Sequence, residues 1–138
     1  MIKEDTLLLI QIDGQTNWTK EESDLNQSRI GKYSGTVKNG LPHGQGQICY
    51  SHGGKYIGSW KDGKRNGLGT YTYSDGRVST GNYKNGKKNG NMKIKCPNGD
   101  TYEGDFINGS PSGKFTYTNT IVEISEVVFK RLKNPIKS

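Results

Sequence analysis

The stretch Tyr56–Gly76, YIGSWKDGKRNGLGTYTYSDG, decides how the chain is read. Its GSWKDGKR nearly spells the phosphate-cradling loop G-x-x-x-x-G-K-[ST], which would mark a nucleotide site, whereas glycine at every few steps points to a scaffold pattern. The two readings separate when the sequence is slid against itself. At a shift of about 23 residues, Tyr33, Tyr56, Ser79 and Tyr102 share a column, followed by Gly35, Gly58, Gly81 and Gly104, and then by Val37, Trp60, Tyr83 and Phe106. Gly40, Gly63, Gly86 and Gly109, and then Gly44, Gly67, Gly90 and Gly113, form two further unbroken columns. The near-Walker sequence itself recurs as GNYKNGKK (Gly81–Lys88), and in both copies the hydroxyl that would hold magnesium is replaced, by Arg65 and by Lys88. A phosphate loop is needed once, after a buried strand and at the opening of a helix. A piece of a repeat unit meets neither condition, so the nucleotide reading falls.

The spacing then gives the unit. Tyr56, Gly58 and Trp60 are two apart and share one face of an extended chain, and Gly67, Gly69, Tyr71 and Tyr73 oppose Leu68, Thr70 and Thr72 in the same way. Asp62-Gly63 joins the two strands and Asp75-Gly76 closes toward the next unit; both are turn dipeptides in which glycine tolerates positive φ. Each unit is therefore a hairpin, and four in succession predict about eight antiparallel strands in one twisted layer. Glycine normally weakens a strand, but a ring from the neighbouring strand can lie over its bare backbone, so the aromatic-glycine face is the expected core. Hydrophobic residues make up 29% of the 138-residue chain, too few for a two-layer domain, which leaves stacking between neighbouring hairpins as the source of stability.

The column pattern Tyr-x-Gly-x-Trp-x-x-Gly-x-x-x-Gly-x-Gly, complete in YIGSWKDGKRNGLG (Tyr56–Gly69), resembles the MORN repeat (membrane occupation and recognition nexus). YSGTVKNGLPHGQG and YEGDFINGSPSGKF match it with one or two departures, and STGNYKNGKKNGNM loses the leading tyrosine at Ser79 and the final glycine at Met92. On this reading the chain is mainly β, an elongated single-layer antiparallel β-meander of MORN hairpins. It divides into an N-terminal strand and polar connection (1–32), four repeats (33–55, 56–78, 79–101 and 102–119) and a C-terminal segment (120–138). TLLLIQI (Thr6–Ile12) would add an edge strand before a polar connection from Asp13 to Lys32. After Asn119, Thr120 with Glu123 makes a capping-box pattern, and Ile121, Ile124, Val128 and Leu132 share a helical face, so a helix over 120–133 is expected, with a strand as the alternative given the β-branched run IVEISEVVF.

The net charge of +7 is uneven: residues 33–120 carry twelve basic and five acidic residues, against four and six before them. Lys64 and Arg65 occupy the same loop positions as Lys87 and Lys88, with Lys61 and Lys84 nearby, so a basic rim along one edge of the sheet is expected. Its plain role is to deter sheet-to-sheet pairing, since edge lysines commonly do so. Its functional role would be to meet an acidic protein partner or acidic lipid headgroups. Tyr33, Tyr56, Trp60, Tyr83, Tyr102 and Phe106 are expected to floor a groove beside that rim, partly covered by the termini. Nucleic acid is disfavoured, because the tyrosines that could stack on bases are claimed by the glycine columns. Open sheet ends permit homo-oligomers, although no residue demands one.

No chemistry-bearing constellation is visible. Cys49 and Cys96 lie in adjacent columns two repeats apart, with backbones roughly 19 Å apart by strand spacing, far beyond disulfide reach. Free thiols and the lack of an export signal point to a reducing interior, where the N-x-[ST] sites at Asn17, Asn26 and Asn108 carry no meaning. His43 and His52 read as polar turn residues, no C-x-x-C spacing suggests zinc, and no serine or cysteine has a fixed histidine and acid beside it. TLLLIQI is too short, with Lys3, Glu4 and Asp5 wrongly placed, for a signal peptide or a membrane span. No cofactor and no enzymatic activity are expected. The resemblance implies three roles: a small scaffold or adaptor in a cytoskeletal or ciliary assembly, which leads; peripheral binding to phosphoinositide-type membrane surfaces; or an accessory subunit to a separate enzyme chain. It places the protein in the cytoplasm or on the cytoskeleton or cilium.

Overall fold

The structure, a computed structural model, describes residues 3–12, 15–20 and 28–119. Ten strands form one open antiparallel sheet: β1 (Lys3–Ile12), β2 (Gln15–Thr19), β3 (Ser28–Lys38), β4 (Leu41–Tyr50), β5 (Lys55–Lys61), β6 (Lys64–Thr72), β7 (Val78–Lys84), β8 (Lys87–Lys95), β9 (Thr101–Ile107) and β10 (Ser110–Thr118). From β3 to β10 the sheet follows the chain hairpin by hairpin, as the repeat spacing predicts, and β1 then β2 continue it beyond β3. The N-terminal strand therefore exists but is not the edge. It lies between β2 and β3, because Gln15–Thr19, within the expected polar connection, folds back as a further strand and places Trp18 near Tyr33 and Trp60. The expected C-terminal helix lies outside the described residues.

Two glycine columns are explained by the backbone. At each hairpin tip Asn39-Gly40, Asp62-Gly63, Asn85-Gly86 and Asn108-Gly109 have φ of 53 and 74°, 49 and 84°, 50 and 84°, and 48 and 87°. Positive φ at both central residues defines the type I′ turn, whose twist matches the flanking strands. The second column sits at a bulge. Gly58 pairs with Gly69 and Trp60 with Arg65, so one residue on β5 faces three on β6, and Gly67 absorbs the excess at φ 100°.

The remaining glycines make room. Gly35, Gly46, Gly58, Gly69 and Gly81 pair in succession, a row of bare backbone crossing five strands. Tyr33 and Tyr56 lie over it: a Cβ on Gly46 would fall 2.1 Å from the Tyr33 Oη, and one on Gly69 2.2 Å from the Tyr56 Oη. Repeat three keeps the arrangement with its partners exchanged. Ser79 replaces the tyrosine, Met92 replaces the covered glycine, and Met92 instead reaches across Gly81, its Sδ 2.5 Å from where a Cβ would stand. Repeat four does likewise, with Phe115 lying over Gly104. The two departures from the repeat pattern, Ser79 and Met92, are both fully buried in the structure.

Candidate functional site

The rings interlock edge to face over the glycine row. Tyr33 meets Trp60 at 5.2 Å, Trp60 meets Tyr56 at 5.2 Å and Tyr56 meets Tyr83 at 5.1 Å, all near perpendicular. This geometry sets the positive ring edge against the negative face of its neighbour. Two polar tips are anchored, the Trp60 Nε1–H donating to the Gly46 carbonyl at 3.1 Å and the Tyr56 hydroxyl to the Ser59 carbonyl at 2.9 Å, whereas the buried Tyr83 hydroxyl has no hydrogen-bond partner among the described residues. Burial pushes the Tyr56 phenol up to about 12, against the opposing pull of Arg65, and pushes Tyr83 higher still.

This packing corrects the expected groove floor. Tyr33, Tyr56, Trp60, Tyr83 and Phe106 are between 0% and 7% exposed, and of the six expected residues only Tyr102 is open, at 39%. A twisted sheet with a glycine row lets rings lie down against the backbone and each other, so the largest side chains become core. Tyr102 is displaced outward because Phe115, not Tyr102, covers Gly104, and it pairs with Tyr117 instead.

The expected basic rim is split across two faces. Lys61 pairs with Lys64 and Trp60 with Arg65, and neighbouring residues in a strand point to opposite sides. Arg65 thus shares the aromatic face with Trp60, while Lys61 and Lys64 face the other way. The next hairpin repeats this, with Tyr83 paired to Lys88 and Lys84 to Lys87. Lys61, Lys64, Lys84 and Lys87 are exposed, whereas Arg65 and Lys88 are half-buried. The Arg65 guanidinium stands 5.4 to 5.7 Å from the centres of Tyr56, Tyr71 and Tyr83 and donates to the Gly86 carbonyl at 2.5 Å. Lys88 stands 5.1 Å from the rings of Tyr73 and Phe106 and donates to the Tyr73 hydroxyl. Burial raises the Tyr73 phenol, but the Lys88 hydrogen bond and the charges of Lys88 and Arg77 outweigh it and hold the phenol below its ordinary value.

A cleft of about 380 Å³ opens between these cations, lined by Arg65, Tyr71, Tyr73, Tyr83, Lys87 and Lys88 with the turn glycines Gly86 and Gly109. A second, of about 770 Å³, lies between hairpin tips among Lys61, Lys64, Asn66, Asn82 and Lys84. The tips are tied together in a way the sequence reading missed. Asn66 and Asn89 accept the backbone N–H of Asn85 and Asn108 at 3.2 and 3.1 Å, and His43 accepts that of Asp62 at 3.3 Å. The signal was the shared column of His43, Asn66 and Asn89, one place before the bulge glycine. His43 is therefore a tip clamp rather than a plain turn residue, while His52 stacks on Tyr50 at 5.2 Å. Cys49 is exposed, Cys96 half-buried, and both are free. Among the described residues no group of three His, Cys, Asp or Glu could hold a metal ion, and no helix is long and apolar enough to cross a membrane.

No curated protein matches the chain. The family profile of the MORN repeat matches residues 33–55, 56–76, 80–101 and 102–119. These four matches span more than half of the sequence and coincide with the four hairpins β3–β10, so the chain belongs to the MORN-repeat family.

Proposed function

We propose that the chain is a non-catalytic interaction scaffold, a small subunit of a cytoskeletal or ciliary assembly, which engages a protein partner through its aromatic face. MORN repeats are binding repeats, and that much follows from the family; the choice of partner and face is our reading. One observation carries it: the aromatic face keeps Arg65 and Lys88 half-buried among rings, with Tyr50, Tyr73 and Phe115 only partly covered. Aromatic rings and arginine are enriched in the cores of protein–protein interfaces.

A second reading is favoured by the opposite face. Lys61, Lys64 and Lys84 stand exposed there, with Lys87 at the margin between that face and the cleft, which suits an acidic bilayer surface. Two sets of charge reversals tell the readings apart: Arg65→Glu with Lys88→Glu on the aromatic face, and Lys61, Lys64 and Lys84 to Glu on the other, with Lys87 left unchanged because it also lines the cleft beside Lys88. The assays are crosslinking to partners in native cells and flotation with acidic liposomes. Loss of a crosslinked partner with the first pair alone supports the scaffold. Loss of liposome binding with the lysine set, at physiological salt and with crosslinks unchanged, replaces it with the membrane reading.

A further inference from the structure

We propose that the cleft between Arg65 and Lys88 receives a phosphorylated side chain of a partner protein. The inference rests on the scaffold reading and adds the chemistry of what is bound. Three cations, Arg65, Lys87 and Lys88, line the cleft, and no carboxylate does. Nor does Arg65 or Lys88 form an ion pair among the described residues, where the acidic partners belong to Lys20, His43 and Arg77.

A cation taken partly out of water without a counter-charge is electrostatically incomplete, and two line this one cleft. Stacking on the rings offsets part of that cost, which explains why both remain in place without an acid. The cleft thus suits an anion, and the charge balance selects its kind. One carboxylate supplies a single negative charge, whereas a phosphate monoester carries close to two at neutral pH and three acceptor oxygens. The Arg65 guanidinium spends one nitrogen on the Gly86 carbonyl and keeps further N–H groups, a fork suited to phosphate oxygens. Tyr73, only partly covered, provides aromatic surface for the rest of the incoming side chain, backed by the buried rings of Tyr71 and Tyr83. A flat bilayer meets the exposed lysines of the other face before these recessed groups, whereas a protruding side chain can enter; this favours a protein source for the phosphate.

The test uses the isotope-labelled full chain and phenyl phosphate, with benzoate as the singly charged counterpart, followed by NMR at the Arg65 Nε–H and the amides of Tyr83, Gly86 and Gly109. Saturable shifts confined to these groups are expected, at least tenfold tighter for phenyl phosphate than for benzoate. Affinity should drop on going from pH 7.5 to 5, as the second phosphate proton is taken up near pH 6. Arg65→Gln and Lys88→Gln should each weaken binding about tenfold, and Lys61→Gln with Lys84→Gln should not. If Arg65→Gln does not fold, Arg65→Lys keeps the charge without the fork and should still weaken phenyl phosphate more than benzoate. Equal binding of benzoate, shifts spread over the exposed lysines, or no saturation overturns the proposal. So does Arg65-dependent binding to vesicles of phosphatidylcholine with a phosphorylated inositol lipid when phenyl phosphate does not bind. Phenyl phosphate that binds as expected, in a chain that crosslinks to no protein, leaves the anion site standing and removes the partner-protein source together with the scaffold reading.

Discussion

Ser79 and Met92 form a pair that a double-mutant cycle can expose. In repeat two the Tyr56 ring leaves no space above Gly69, where even a Cβ would lie 2.2 Å from its hydroxyl. The equivalent positions in repeat three are Ser79 and Met92, both fully buried. Met92→Gly removes a buried thioether side chain and loosens a strand; about 3 kcal/mol for the cavity and about 1 for the glycine give a loss of about 4 kcal/mol. Ser79→Tyr drives a ring into the volume Met92 fills, and overpacking of this kind costs about 3 kcal/mol. Made together, the two changes rebuild the arrangement of repeat two, and the double variant should lie within about 1 kcal/mol of the starting protein.

The loss in the double variant should thus be smaller than the summed single losses by about 6 kcal/mol, well above the coupling usual for neighbouring residues. Urea denaturation followed by circular dichroism and tryptophan fluorescence reads it. With a slope of about 1.5 kcal/mol/M, Met92→Gly moves the midpoint down by roughly 2.5 M, and adding Ser79→Tyr moves it back. A double variant at or below the summed losses refutes the exchange and makes the two departures in repeat three independent of each other.

Three further outcomes follow from the same packing. Trp60→Ala removes a ring that touches Trp18, Tyr33 and Tyr56 and donates to Gly46, so a stability loss of about 4 kcal/mol is expected from the denaturation midpoint, with Trp60→Phe closer to 2. Tyr56 and Tyr83 have phenols raised in the folded state, so the unfolded chain releases its protons first; stability should hold below pH 10, fall as pH rises through about 12, and fall less in Tyr56→Phe, as read by phenolate absorbance alongside circular dichroism. Asn89→Ala deletes the clamp on the next hairpin tip and should cost about 1 kcal/mol, with faster hydrogen exchange at the Asn108 amide but not at Asn85.

The repeat, its turns and its buried face were legible because each rests on local backbone rules. Asn-Gly and Asp-Gly at fixed offsets specify type I′ turns whatever surrounds them, and alternation of ring with glycine marks one side of a strand. Strand β2 was not legible, since QTNWT has polar neighbours and its one anchor, Trp18, gains meaning only when Tyr33 and Trp60 stand beside it. The groove floor was misread for a related reason. Column position shows that Tyr33, Tyr56, Trp60, Tyr83 and Phe106 share a side, but not that the bare glycine row lets them lie flat and cover one another.

The split of the basic rim shows where sequence spacing and surface chemistry part. Lys64 and Arg65 are neighbours in sequence and alike in charge, so a one-dimensional reading groups them, but strand pairing gives Arg65 to Trp60 and Lys64 to Lys61. Single-residue alternation then separates two kinds of cation in each of two hairpins: one exposed and hydrated, one half-buried against rings. An exposed lysine is screened by salt within about 8 Å at physiological ionic strength and discriminates weakly among anions. A guanidinium held against Tyr56, Tyr71 and Tyr83 is shielded from that screening and fixed in orientation, so it can select a ligand by shape as well as charge. A fourfold reversal of Lys64, Arg65, Lys87 and Lys88 would confound the two, because it alters both faces at once; substitutions chosen by strand pairing keep them apart.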